Sequence, residues 1–140
     1  MEANGFGDDN AHFAIPNSVV CDAKGRVYVA DYLNNRIQIY DPDGKFLKTI
    51  PVTLPAKVQI DPKTQEIYVF SWYIVTGISN ELVVRYKLKD GDNLAIAKNP
   101  PVMTRFGTFD DPKLISKVDL PINLIGTGQQ QSWMGQLLHV

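Results

Sequence analysis

The strongest constraint on the fold is a unit of short apolar runs and turn residues that occurs twice. The stretch PNSVVCDAKGRVYVAD, residues 16–31, aligns with PAKVQIDPKTQEIYVFS, residues 55–71. Pro16 and Pro55 open the two copies. Their separation gives a repeat of about 40 residues with several short strands in each copy, which is typical of β-propellers.

The first copy is predicted to form four short strands joined by tight turns. Apolar and polar residues alternate, and from residue 13 to residue 106 we find no convincing apolar spacing of a helix. The segments DAKG and DPDG place Asp first and Gly last, which is typical of type I turns. The sequence therefore predicts an all-β fold of four-stranded antiparallel sheets. The predicted strands cover residues 18–22, 26–31, 36–41 and 45–50.

The second copy is longer than the first, and a third is expected to be incomplete. Tyr86 lies farther from Tyr40 than Pro55 lies from Pro16, which indicates an insertion between the second and third strands. TRFGTFDD at 104–111 is similar to NGFGDDNAHF at 4–13, so we expect it to close the second unit and to precede a third. The expected units, within one segment 1–140, are 13–50, 52–106 and a partial unit at 118–140.

Composition and charge exclude several classes of function. The net charge is −1, with 14 Lys and Arg against 15 Asp and Glu, so a nucleic-acid partner is not expected. Cys21 is the single cysteine, which excludes an intramolecular disulfide and a cysteine-based zinc site, and its neighbours Val19 and Val20 predict a buried thiol. The polar start MEANGFGDDN predicts no signal peptide, and no run reaches the ~20 apolar residues of a membrane span.

The stretch FAIPNSVVCDAKGRVYVADYLNNRIQIYDPDGKFL, residues 13–47, resembles the NHL repeat, a blade of a β-propeller. The features that fit the family pattern are its opening proline, the Asp and Gly of its first turn, the VYVAD strand and the later Asn-x-Arg. The second copy keeps Pro55, Asp61 and Tyr68, but Ser71 stands where the first copy has an Asp. The resemblance implies a partial propeller of about two to three NHL-type blades. Because propellers have four to eight blades, it also implies a fragment or subunit of a larger ring.

Asp31 and Arg36 flank the YLNN turn and are predicted to brace it. The carboxylate can accept backbone N–H groups, and the guanidinium can pair with it across the turn. The alternative, that this pair carries chemistry, remains open from the sequence. The resemblance to NHL blades favours the structural role.

In a propeller the loops between second and third strands, and those between blades, gather on one face. The corresponding segments here are 8–15, 31–36, 71–81 and about 107–120. The aromatic segment SWYIVTGISNE is predicted either to contact a partner or to pack as a longer hairpin on a neighbouring blade. The residues expected to bind on this face are Phe13, Tyr32, Asn34, Arg36, Trp72 and Tyr73.

His12 raises the question of a metal. The segment HFAIPNSVV resembles part of the peptidyl-hydroxyglycine amidating lyases, NHL-type propellers in which a His beside a Phe binds zinc at the channel mouth. Such a site needs three His ligands, and this chain has only His12 and His139. The acidic stretches lack the spaced oxygen ligands of a calcium loop. No metal or cofactor is therefore expected, with zinc through His12 and calcium as the alternatives.

The function expected from these features is a non-enzymatic scaffold that binds a protein or a ligand. Its partners would be another protein chain, further blades that complete the ring, or a second copy. The alternative is part of a metal-dependent lyase or hydrolase with His12 at the channel mouth. The compartment is not fixed by the sequence, although resemblance to exported bacterial NHL proteins suggests an extracytoplasmic site.

Overall fold

The computed structural model describes residues 6–72 and 101–121, which form two four-stranded antiparallel sheets. Sheet 1 has the order β1-β2-β3-β4 and sheet 2 the order β5-β6-β7-β8. No α-helix occurs in these two ranges, and no helix there is long and apolar enough to span a membrane. The predicted all-β fold of propeller-type blades is confirmed. The strands are β1 Pro16–Cys21, β2 Val27–Asp31, β3 Arg36–Tyr40, β4 Phe46–Pro51, β5 Pro55–Ile60, β6 Ile67–Ser71, β7 Val102–Phe106 and β8 Leu114–Asp119, with a 3₁₀ turn at Tyr32–Asn34.

The hairpin turns form where the sequence placed Asp and Gly. The Asp22 carboxylate accepts the backbone N–H groups two and four residues later, and the Asp41 carboxylate does the same. Gly25 and Gly44 adopt φ values of 78° and 89°, which a side chain would disfavour. Asp61 uses its carboxylate in the corresponding turn of sheet 2. These aspartates therefore act as turn formers.

The predicted boundaries of the second unit are wrong. Its third strand is β7 and its fourth is β8, so the sheet continues to residue 119 rather than ending at 106. The segment 107–113 is the β7–β8 turn and does not lead into a new unit. Its Gly, Asp and Pro residues suit a hairpin turn as well as a passage between blades, which is why the resemblance to residues 4–13 misled. Residues 73–100, and 122–140 of the expected third unit, lie outside the described residues.

The two sheets pack face to face around one apolar cluster. Tyr28, Ile37 and Ile39 of sheet 1 are fully buried against Ile67 and Val69 of sheet 2. Full burial of a large apolar side chain contributes roughly 1.5–3 kcal/mol. The other members of this cluster are Ala30, Ile50, Val58 and Phe106.

Polar contacts also join the two sheets, one between their innermost strands β1 and β5 and one between their first hairpin turns. The backbone N–H of Val58 donates to Ser18 Oγ at 3.2 Å, and that of Ala23 donates to Gln65 Oε1 at 2.9 Å. Sheet 2 therefore follows sheet 1 as the next blade of a radial stack.

Cys21 is exposed, so the predicted burial of its thiol is wrong. Side chains alternate along a strand, and Val20 packs against the core whereas Val19 is 65% exposed. Cys21 shares the outward side with Val19. The apolar residues beside Cys21 in the sequence led to the wrong prediction. Burial of a strand residue depends on the face of the sheet on which its side chain lies, and adjacent residues lie on opposite faces.

Candidate functional site at the loop end

The loop end of the sheets is formed by residues 8–15, 32–35 and 52–54, with Trp72 at the end of β6. Because successive strands run in opposite directions, the four hairpin turns lie at the other end, here called the turn end. The segment 107–113 joins β7 to β8 and lies at the turn end. Its predicted place on the loop face is wrong.

Asp31 is the most enclosed charged group at the loop end. Its side chain has no exposed surface, and its two oxygens accept three hydrogen bonds. Oδ1 accepts the Ala14 N–H at 2.7 Å, and Oδ2 accepts Asn34 Nδ2 at 2.8 Å and Arg36 Nε at 2.7 Å. The carboxylate thus joins the segment before β1 to the turn after β2.

Arg36 extends this connection to the segment 8–12. Its Nη1 donates to the Asp8 carbonyl at 2.8 Å, and its Nη2 donates to the carbonyls of Asp9 at 2.9 Å and His12 at 3.0 Å. One guanidinium therefore pairs with a buried carboxylate and fixes three backbone carbonyls. This is the geometry expected of a brace, because the Asp31 carboxylate accepts a backbone N–H group and the Arg36 guanidinium donates to backbone carbonyls.

Ser71 occupies the place in sheet 2 that Asp31 has in sheet 1. Asp31 pairs with Pro16 across β1 and β2, and Ser71 pairs with Pro55 across β5 and β6. Ser71 Oγ is buried and has no hydrogen-bond partner among the described residues. The second blade therefore lacks the carboxylate brace of the first.

The expected binding residues Tyr32 and Trp72 are packed together rather than displayed. Tyr32 is 1% exposed and lies in a second apolar cluster with Ala14, Leu33 and Ala56. Its hydroxyl donates to the Trp72 carbonyl at 3.0 Å, and the Trp72 ring packs half-buried against the same cluster. Tyr32, which the sequence predicted to bind on the loop face, is thus buried below it, because the 3₁₀ turn directs its ring inward.

Phe13 and Asn34 also hold the segment 7–13 in place. The Phe13 ring meets the Tyr40 ring edge-to-face, with centroids 5.9 Å apart. Asn34 Nδ2 donates to the Gly7 carbonyl at 2.7 Å as well as to Asp31. Tyr73, the remaining expected binding residue, lies outside the described residues.

Five consecutive exposed residues at this end form the 8–12 loop, made of Asp8, Asp9, Asn10, Ala11 and His12. His12 Nδ1 lies 2.7 Å and 2.9 Å from the two carboxylate oxygens of Asp9. That hydrogen bond, with the Ala11 N–H bond, lowers the pKa of Asp9. The sequence analysis placed the segment 8–15 on the loop face, but of its residues it chose only Phe13 for binding and considered His12 only for a metal. The carbonyl bonds of Arg36 that fix it have no signal in the sequence.

Zinc binding through His12 stays an alternative to the expected absence of a metal. Within 6–72 and 101–121 no group of three His, Cys, Asp or Glu residues is placed to hold a metal ion, and His139 lies outside those ranges. The contact between His12 and Asp9 is of the kind that orients a ligating imidazole. It also joins Asp9 to His12 within the 8–12 loop.

A second polar cluster lies at the turn end. Asp22 Oδ2 accepts Arg26 Nε at 2.6 Å and the Tyr28 hydroxyl at 2.9 Å. Burial raises the pKa of Asp22, but these hydrogen bonds and those from the backbone outweigh it, so the pKa lies below its usual value. Burial, then the Asp22 contact, raises the pKa of Tyr28. The Arg26 guanidinium also lies 3.7 Å from the ring centroid of Phe109, which joins the two blades here.

Comparison with known proteins finds similarity mainly in the first blade. Residues 13–40, which include β1 to β3, match the family model described as NHL repeat. NHL repeat-containing protein 3 of Homo sapiens and that of Mus musculus are each 55% identical to the chain over 45 residues. The matched segment is 31% of this chain and 12% of each relative, so the chain spans only a small part of their length. A protein of unknown function from Bacteroides caccae aligns with a TM-score of 0.46 and 11% identity, over 78% of this chain and 29% of that one.

Proposed function

We propose that these blades are part of a non-enzymatic binding scaffold whose 8–12 loop contacts a protein partner. The observation that carries this is the guanidinium of Arg36, which fixes three carbonyls of the loop while it is paired with the buried Asp31. A loop fixed in advance loses little conformational entropy when it binds. Binding groups are commonly carried on loops that a rigid framework positions.

The chemistry of the loop suggests the kind of partner. The side chains of Asp8, Asp9 and Asn10 are exposed, whereas the carbonyls of Asp8 and Asp9 are already engaged by Arg36. The loop therefore offers the exposed carboxylates of Asp8 and Asp9, the second already bonded to His12 and Ala11, and these suit a protein surface with basic or hydrogen-bond-donating side chains. Phosphate groups of a nucleic acid would be repelled by it.

Trp72 and Tyr73 are proposed as a neighbouring part of the same surface. Trp72 packs against the cluster that contains Ala14, directly after the braced loop. We also propose that further blades complete the ring, because propellers have four to eight of them. These blades would come from other residues of the protein, from another chain or from a second copy.

The test places a photo-crosslinking amino acid at Ala11 of the full-length protein, in cells that express it. The matched control carries the same amino acid at Asp43, which is exposed in a hairpin turn at the turn end. A discrete adduct from position 11 that is absent from position 43, and that Asp8→Lys abolishes, is the expected result. Equal adducts from both positions, or none, would contradict a loop-end partner.

The lyase alternative is separated by the metal content of the same protein. One zinc ion per chain that is lost in the His12→Ala variant would support the lyase and would count against the scaffold. A metal-free protein whose His12→Ala variant is unchanged in fold and adducts would support the scaffold.

A further inference from the structure

Sheet 2 has an outer face that is apolar at its centre. Ile67 and Val69 are buried against sheet 1, so Tyr68 and Phe70, which alternate with them on β6, point the other way. Phe70 is the cross-strand partner of Met103, and Met103 is the partner of Val118. These residues share the side turned away from sheet 1, called the far face of sheet 2. Its apolar centre is formed by Tyr68, Phe70, Met103 and Val118, with Lys57 and Arg105 beside it, and Val118 is 47% exposed.

The same positions in sheet 1 form an interface that the structure already contains. There Ala30 is the partner of Ile37, and Ile37 is the partner of Ile50, just as Phe70, Met103 and Val118 are paired in sheet 2. Ala30, Ile37 and Ile50 are at most 3% exposed because sheet 2 covers them. The far face of sheet 2 is thus the positional equivalent of a buried blade-to-blade face. Its central positions Phe70, Met103 and Val118 carry apolar side chains, whereas Arg105 stands where sheet 1 has the buried Ile39.

Sheet 1 is covered by sheet 2, which follows it in the chain. The sequence after β8 begins in a similar way to the sequence after β4. The dipeptide Leu54-Pro55 opens β5 shortly after β4, and β5 lies against β1, where Val58 N–H donates to Ser18. After β8 the pair Leu120-Pro121 repeats this dipeptide, and Leu124 stands where Val58 does. Two apolar runs, INLI and WMGQLLHV, then flank the polar stretch TGQQQS.

The length of that segment suits one hairpin and no more. The segment 122–140 is only slightly longer than the span from Pro16 to Asp31, which contains β1, its turn and β2. One hairpin would supply the two innermost strands of a next sheet. The innermost strand is the part of sheet 2 that lies against β1.

We propose that the far face of sheet 2 is the docking surface for residues 122–140 of the same chain, as the inner hairpin of a third blade. Lys57 has the place in β5 that Ser18 has in β1, because Lys57 pairs with Phe70 and Ser18 pairs with Ala30, which is the residue of β2 that matches Phe70. Leu124 should therefore lie beside Lys57. The chain from Leu120 to Pro121 is slightly shorter than the matching chain from Val52 to Pro55. Leu124 can therefore be displaced slightly along β5, and the crosslinker must be long enough to span that displacement.

The test is a crosslink within the full chain. In a Cys21→Ser background, Lys57→Cys and Leu124→Cys are combined and treated with a short bismaleimide. The matched control combines Lys63→Cys with Leu124→Cys, because Lys63 is exposed in the turn at the far end of β5. The expected result is an intramolecular crosslink whose yield is roughly ten-fold higher for the first pair, as a docked segment has a higher local concentration.

Three outcomes would overturn the proposal. Crosslinks between two chains would assign the face to a second copy. Equal yields from the two pairs would mean that residues 122–140 do not dock there, and so would the absence of any crosslink. The pair Ala23→Cys with Gln65→Cys, whose backbone and side chain are already in contact, shows that the reagent works.

A charge on the face gives a second readout that does not depend on crosslinker geometry. Val118→Lys should reduce the yield of the Lys57→Cys and Leu124→Cys pair to that of the control, with an unchanged far-UV spectrum. Val19→Lys, on the opposite outer face and 65% exposed, should leave the yield as it was. An unaffected yield in Val118→Lys would also overturn the docking site. None of these results depends on the proposed partner of the 8–12 loop.

Discussion

Replacement of Arg36 by Met removes the positive charge that faces Asp31 while it keeps most of the apolar stem. The Asp31 side chain has no exposed surface, and that of Arg36 is 11% exposed, so water cannot easily take the place of the guanidinium. Asp31 would keep the N–H groups of Ala14 and Asn34 but would remain a buried carboxylate without a counter-charge. Removal of one partner from such a buried pair costs about 3–5 kcal/mol.

That loss is a large share of the total, because a domain of this size is stable by about 5–15 kcal/mol. The three carbonyls of the 8–12 loop also lose their donor, but they lie at the exposed side and water can replace it. We therefore assign the cost to Asp31. At about 3 °C per kcal/mol, the midpoint of thermal unfolding should fall by roughly 10 °C or more.

The assay is urea unfolding for the free energy and thermal unfolding for the midpoint, both followed by circular dichroism, with Arg105→Met as the matched control. Arg105 pairs with Glu66, but its side chain is 37% exposed, so its loss should cost less than about 1 kcal/mol. The double variant Asp31→Asn with Arg36→Met should recover part of the loss, because no buried charge remains. Equal costs for Arg36→Met and Arg105→Met would refute the brace.

Four further predictions concern single positions. The pKa of Asp22 is lowered in the folded protein, so its stabilising effect is present above its ordinary pKa and is lost as the pH falls through the lower folded value. The free energy of unfolding should therefore decline below about pH 4. Asp22→Asn should flatten that decline in acid titrations of unfolding. In Gly107→Ala the new Cβ would overlap the Asp111 carbonyl oxygen, so a loss of about 1–3 kcal/mol is expected in urea unfolding, and wild-type stability would contradict the contact. The exposed Cys21 should react fully with a thiol reagent in the native state, and protection until unfolding would contradict its outward side. Ser71→Ala should change the free energy of unfolding by less than about 1 kcal/mol or increase it, since Oγ lacks a partner among the described residues, and a larger loss would mean that the hydroxyl is bonded.

Much of the first blade could be predicted from the sequence because its signals are local. Alternation of apolar residues specifies strands, and the Asp and Gly of residues 22–25 and 41–44 specify where the chain turns. Neither signal needs information from distant residues. The NHL pattern over residues 13–40 is dense for the same reason, since turns, strands and brace all fall within one short repeat.

The second blade was predicted less well because its pairing is not local. The long connection from Trp72 to Pro101 separates β6 from β7, so a fixed period could not locate the third strand. The turn at 107–113 has the composition of an inter-blade loop, and only its pairing between β7 and β8 decides which it is. A strand pattern states that a segment is extended, but not which strand it joins.

By itself, the sequence determined the class of fold, the strands of the first blade and the pairing of Asp31 with Arg36 across a turn. Only the tertiary structure decided which side chains are covered: Tyr32 turns inward, Cys21 turns outward, and Arg36 reaches three carbonyls of the 8–12 loop, which is distant along the chain. The physical reason is that strand and turn preferences act over a few residues, whereas burial and charge pairing depend on which other segment lies opposite. That arrangement is fixed only when the two sheets stack.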